Sequence, residues 1–220
     1  MSEEKKRNAR RAPKRKKNEF ILRTALAFAL ILGICFCIVR CASGGDYSDF
    51  LDALGMRESS DRYDVENRFG YLGRYQMGKL ALQEAGFLDP DGEWTSLANS
   101  YGIYSKEDFL QSPDGQDAAI RACHAKLCEY IRYYGLDEYV GTRYYGIEVT
   151  ESGLLAACHL VGVKSLKTAL QRNEMVYDGN QVPASEYMES FAGYDISEVW
   201  NDDPKFIFWK RTLDKTLPFC

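Results

Sequence analysis

The sequence predicts a mostly α-helical body preceded by a single transmembrane helix. Three observations predict it. An uncharged apolar run lies near the N-terminus, capped segments with apolar residues every three or four positions follow it, and no stretch sustains the period-two alternation of strands.

The membrane helix comes first. Residues 24–39 read TALAFALILGICFCIV, without a charge. Adding Phe20, Ile21 and Leu22, with Arg23 snorkelling to the interface, gives about twenty residues, enough to cross a bilayer. A buried core helix of that length would show a polar face, and this one shows none. Before it, residues 1–19 carry Lys5, Lys6, Arg7, Arg10, Arg11, Lys14, Arg15, Lys16 and Lys17, which predicts a cytoplasmic N-terminus. The expected layout is a basic tail over 1–19, a membrane helix over 20–40, a linker over 41–46 and a body over 47–220. The chain would be single-pass in the inner (cytoplasmic) membrane, with the body periplasmic or otherwise extracytoplasmic. A cleaved signal peptide has a similar layout, but this apolar run is long for one and no A-x-A site follows. A lipid-bearing Cys41 is disfavoured by Arg40 directly before it.

Charge follows the same division. Up to Arg40 the chain holds eleven of its 28 Lys/Arg and three of its 32 acids, so a basic tail joins an acidic body. The tail has no interleaved aromatics and abuts the span. It reads as a topology signal that favours anionic headgroups, and no nucleic-acid partner is expected. Cys35, Cys37 and Cys41 belong to the span region; Cys123, Cys128, Cys158 and Cys220 belong to the body. An exported body permits disulfides, and four cysteines leave three full pairings open. Cys123 and Cys128 are five apart on a predicted helix and should not pair with each other. No metal-ligand spacing is present, so no metal or cofactor is expected.

In the body, Ala42-Ser43-Gly44-Gly45 reads as a flexible joint, and Asp46 as the cap of a helix that buries Tyr47, Phe50, Leu51 and Leu54 and ends near Gly55-Met56. Residues 61–75, rich in Asp, Asn, Gly and Tyr, read as a small loop or hairpin lobe. Residues 76–86 read as a helix with Leu80, Leu82 and Ala85 apolar, stopped by Gly86. A turn at 89–92 and short helical pieces over 93–111 lead to Ser112-Pro113, a cap and first-turn proline. They open the central helix carrying Ile120, Cys123, Leu127, Tyr130, Ile131 and Tyr134, ended by Gly135. Thr150 caps a small-residue apolar helix over 151–161, and Gly162 ends it. Further helices are predicted over 164–170, 184–191 and 206–213, with a turn at Asp178-Gly179-Asn180.

The chemistry concentrates in MRESSDRYDVENRFGYLGRYQMGKLAL. Cleaving a glycosidic bond needs an acid for the leaving oxygen, and Glu58 stands at a helix end beside apolar and aromatic residues. Sugars need flat aromatic faces and amide donors, which Tyr63, Tyr71, Tyr75, Asn67 and Gln76 supply. Taken singly, each residue has a plainer reading: a helix-end glutamate is usually a solvated charge, and a histidine in an apolar helix is usually core.

Jointly these residues resemble the lysozyme-like superfamily of lytic transglycosylases, goose-type lysozymes and phage-type wall hydrolases. The family's Glu-Ser matches Glu58-Ser59. Its Gly-Lys-Tyr-Gln-Phe-Gly matches Gly73-Arg74-Tyr75-Gln76-Met77-Gly78. Its Ala-Ala-His-x-x-Gly is similar to Ala157-Cys158-His159-Leu160-Val161-Gly162, which Ala156 precedes, with Cys158 in place of an alanine and Arg74 as the other departure. The similarity runs over about 48–195. It implies a lysozyme-like fold that cleaves peptidoglycan strands, with Glu58 as acid and then base. It implies Ser59, Tyr75, Gln76, His159 and Tyr187 as substrate-side residues, Tyr187 closing the cleft. Candidates for a second carboxylate are Asp61, Asp64 and Glu66; in the transglycosylase branch one glutamate suffices, because the substrate's N-acetyl group assists. An envelope-spanning complex is an expected setting. The alternative is an inactive module that binds glycan or scaffolds such a complex. A third option, a Cys158–His159 hydrolase, is disfavoured because adjacent helical residues diverge by about 100°.

Overall fold

The structure, a computed structural model, describes residues 44–200. The predicted membrane helix, the basic tail and the helix over 206–213 lie outside the described residues.

The described body is mostly helical. Helix α1 (Tyr47–Ser59) is opened by Asp46, whose carboxylate accepts the Ser48 and Asp49 amides, while Asp49 reaches back to the cap. It buries Tyr47, Phe50, Leu51 and Leu54. It does not stop at Gly55. That glycine lies inside the helix because the Arg74 side chain crosses it, where a Cβ would collide. The chain leaves the helix at Ser60, which adopts φ 57°, and the next residue, Asp61, donates its N–H to the Gly55 carbonyl.

The expected flexible joint is fixed at its described end. The Gly45 carbonyl accepts the Asp195 amide at 2.9 Å, and Gly44 lies against the Gly193–Tyr194 backbone, too close for a side chain.

Residues 61–78 form an irregular lobe with short bridges between Glu66 and Leu72 and between Leu72 and Met77. The helix expected over 76–86 is shorter, α2 (Lys79–Glu84), because Gln76 takes φ 48° and Gly78 begins the helical turn. It points Leu82 inward and leaves Leu80 77% exposed, so Leu80 is not core. Short helices α3 (Ser96–Ser100) and α4 (Lys106–Leu110) follow, capped by Thr95 and Ser105.

Helix α5 (Pro113–Tyr133), capped by Ser112 with proline in its first turn, is the central element. A 3₁₀ turn (Asp137–Tyr139) leads to a hairpin of β1 (Arg143–Tyr144) and β2 (Ile147–Glu148), with Tyr145 and Gly146 both at positive φ. Such a turn is the preferred two-residue connection. Helix α6 (Glu151–Val161), capped by Thr150, buries residues 152–158 without a break. Helix α7 (Val163–Arg172) starts directly after Gly162, bent by 115° from α6. Helices α8 (Ala184–Ser190) and α9 (Ser197–Trp200) follow. α5 packs against α2, α4, α6, α7 and α9, and α6 also packs against α7 and α8. Among the described residues no single helix is long and apolar enough to cross a membrane; α6 and α7 qualify only as a bent pair.

Phe50 anchors one end of the core, packed edge-on against Tyr194 and tilted against Phe191. Phe87, Tyr101, Trp94 and Phe109 fill the other. Cys123, Cys128 and Cys158 are buried free thiols. Burial pushes the Cys123 and Cys128 thiols up to about 12. The disulfides that an exported body permits are therefore absent among these three.

Candidate functional site

Because α1 runs on to Ser59, Glu58 sits in its last turn and not in a loop. Its side chain is 16% exposed. Oε1 accepts the Tyr187 hydroxyl at 2.6 Å and lies 3.9 Å from His159 Nε2. Three elements far apart in sequence therefore converge on one carboxylate: α1, α6 and α8. Next to it, Arg57 pairs with Glu186 and lies 4.4 Å over the Tyr187 ring, which fixes that ring from its outer face.

Each remaining predicted residue has a definite place. Ser59 joins the helix end to the lobe: its Oγ donates to the Arg74 carbonyl at 2.9 Å and accepts the Arg62 amide at 2.9 Å. Gln76 staples its own loop, with Nε2 donating to the Gly73 carbonyl at 2.8 Å. His159, 10% exposed at its side chain, is at the boundary between core and site. Burial pushes its imidazole below the ordinary value, while the Glu58 carboxylate and a backbone hydrogen bond to Tyr75 push it back. Tyr187 is a donor: burial, then the Glu58 charge, push its phenol upward.

Tyr75 is different. Its ring is 1% exposed and offers no face to a ligand. Its hydroxyl donates to Asp117 at 2.8 Å and accepts from Arg74 Nη1 at 2.7 Å. The ring belongs to the core because two charged groups on the far side of the lobe demand its hydroxyl; only its backbone faces the site. Tyr63 is held likewise, donating to Asp117 at 3.1 Å.

Those contacts belong to a polar hub that sequence reading missed. Arg74, 9% exposed at its side chain, binds Asp52 at 2.7 Å and Asp61 at 2.5 Å. Behind it the buried Gln116 is fully used. Oε1 accepts the Arg74 amide at 2.8 Å, and Nε2 donates to the Tyr63 and Phe109 carbonyls at 3.0 and 2.8 Å. Gly73 is required here, since a Cβ would strike the Gln116 amide. The one available signal was Arg74 itself, which stands out as a departure in the motif at residues 73–78.

The candidate second carboxylates all have cations. Asp61 is held by Arg74, Asp64 lies 3.2 Å from Arg62, and Glu66 lies 2.8 Å from Lys106. Glu58 has no Lys or Arg ion pair among the described residues. Cys158 is buried with its thiol pushed up, which leaves no thiolate for a nucleophile. Among the described residues no group of three or more His, Cys, Asp or Glu is placed to hold a metal ion.

The arrangement places a sheltered carboxyl next to a phenol donor and an imidazole. Compared with models of protein families, with curated proteins and with solved structures, the chain matches none.

Proposed function

We propose that the protein cleaves the glycan strands of peptidoglycan, with Glu58 as general acid and then general base, on a lysozyme-like fold. The observation that carries this reading is the contrast between Glu58 and its neighbours. Asp61, Asp64 and Glu66 each face a cation, whereas Glu58 faces a phenol and an imidazole. A carboxyl tied to a cation is a poor proton donor; one held by neutral groups can cycle.

Glu58 gives its proton to the glycosidic oxygen as the bond to C1 breaks. The resulting carboxylate then takes the proton of the hydroxyl that attacks C1. With no second carboxylate free, an internal hydroxyl of the sugar is the favoured nucleophile, assisted by the N-acetyl group, and the product ends in a 1,6-anhydro ring. The resemblance of Glu58-Ser59, residues 73–78 and residues 156–162 to wall-cleaving enzymes supports the same substrate. Anchoring by residues 20–40 would keep the enzyme close to the wall and raise its effective concentration there. Local opening of the wall, for growth or for an envelope-spanning complex, is the role proposed.

Digestion of purified peptidoglycan by the full-length protein tests this, with Glu58→Gln as control. Release of muropeptides by the wild type alone is expected, and mass spectrometry should show anhydro ends. Hydrated reducing ends would replace the anhydro mechanism with hydrolysis. Binding without cleavage would replace the enzyme with a glycan-binding or scaffolding module.

A further inference from the structure

Two imidazoles meet beside Glu58, in a chain with only two histidines. His159 on α6 and His124 on α5 have ring centroids 5.4 Å apart and planes at 87°. His124 is fully buried, and its Nδ1 lies 3.0 Å from the Tyr47 hydroxyl. A buried phenol has one proton to donate, and this nitrogen is the acceptor in reach. Tyr47 therefore donates, and the neutral ring carries its own proton on Nε2. That Nε2 is buried without a hydrogen-bond partner. Leaving a buried donor unpaired costs roughly 1–3 kcal/mol, and folds keep few such groups. On its other side the His124 ring abuts His159.

We propose that His159 is a positioning residue for Glu58: lying 3.9 Å from the carboxylate and backed by the Tyr47–His124 pair, its imidazole limits where the Glu58 carboxyl can point. The assignment rests on Glu58 being the acid of the proposed reaction.

The groups around the two rings explain why an imidazole suits this place. His159 faces Glu58 from α1 and, through Glu58, Tyr187 from α8; the Tyr75 backbone faces it from the lobe and His124 from α5. Around His124 stand Tyr47 from α1 and Arg121, whose guanidinium lies 5.1 Å over the Tyr47 ring and pairs with Glu198 at 2.5 Å. Burial keeps both imidazoles below their ordinary values, and for His124 the neighbouring His159 and Arg121 add to this. A lysine or arginine beside Glu58 would form a permanent ion pair and take the proton carrier out of use. A neutral imidazole at 3.9 Å steers the carboxyl without locking it.

Two histidines make the test clean. In the full-length protein labelled with ¹⁵N-histidine, Glu58→Gln at neutral pH should move the ring nitrogens of His159 and leave those of His124 nearly still. Tyr47→Phe should move those of His124. In murein digestion, His159→Phe keeps a ring without nitrogen. It should lower kcat by about tenfold to a hundredfold, with KM within about twofold and a changed pH–rate profile. His159→Gln should recover part of the loss. His159 nitrogens that ignore Glu58→Gln would overturn the proposal. A raised KM with kcat intact would overturn it too, making His159 a substrate contact, as would a lower Tm with unchanged kinetics. A wild type that never cleaves murein defeats the proposed function, and the nitrogen shifts still decide the geometry on their own.

Discussion

The polar cluster around Arg74 and the one around Glu58 are built on opposite principles. Around Arg74 the polar groups are closed into a network: the guanidinium meets Asp52, Asp61, Tyr63 and Tyr75, Asp117 takes both phenols, and Gln116 spends its donors and acceptor. Around Glu58 the groups are left open: one short bond from Tyr187, one long approach to His159, and beyond it an unpartnered His124 nitrogen. A closed network makes a rigid frame but leaves no group free to change its proton count. An open one costs stability and, under the proposed function, leaves the carboxyl free to act.

Substitutions on the two sides should therefore fail differently. The largest effect expected is on activity. Glu58→Gln should lower murein cleavage by about 10²–10⁴-fold, with Tm nearly unchanged; a large Tm loss would place Glu58 in the frame. Next, Arg74→Met should cost about 1–2 kcal/mol in chemical denaturation, since it removes the hydrogen bonds of a buried guanidinium while Asp52, Asp61 and Asp117, partly exposed, stay solvated. Its activity loss should follow unfolding. If Arg74→Met kept its stability, the hub would not be the frame. Tyr187→Phe removes one donor from Glu58 and should reduce kcat about tenfold, in line with a hydrogen bond to a charged group.

A smaller effect is expected from acid. His124 and His159 are both held below the ordinary value of 6.5, so the unfolded chain binds more protons than the folded one below that pH. Stability is full above about pH 6.5 and falls as the pH drops, by at most about 1.4 kcal/mol per pH unit for each histidine. Denaturant midpoints measured from pH 7 to 5 should show it, and His124→Phe should flatten the slope. At the bottom of the scale, Leu80→Glu should change stability by no more than about 0.5 kcal/mol, because that side chain is exposed.

The local signals in this chain were legible because they depend on neighbours in sequence. Asp46, Ser112-Pro113 and Thr150 begin their helices as their chemistry requires. Glu58, His159 and Tyr187 come together from three motifs. What was misread depends on distant partners. Gly55 looked like a stop, yet a glycine admits a crossing side chain as readily as it ends a helix, and here Arg74 crosses it. Tyr75 looked like a sugar platform, because nothing local announces that Asp117, 42 residues on, claims its hydroxyl. Gln116 is an ordinary helix residue by sequence. The 143–148 hairpin escaped because strands of two residues are too short to alternate.

The Ser59 hydroxyl, which ties the end of α1 to the Arg74 carbonyl, has a thermodynamic consequence. With that bond and the hub beneath it, Glu58 and the Gln76 loop are organised as one block before any ligand arrives. The entropy of arranging them is lost once, during folding, and is not lost again at each encounter. Under the proposed function, an incoming glycan strand would meet a prepared surface, and the ordering that accompanies binding would fall on the sugar chain alone.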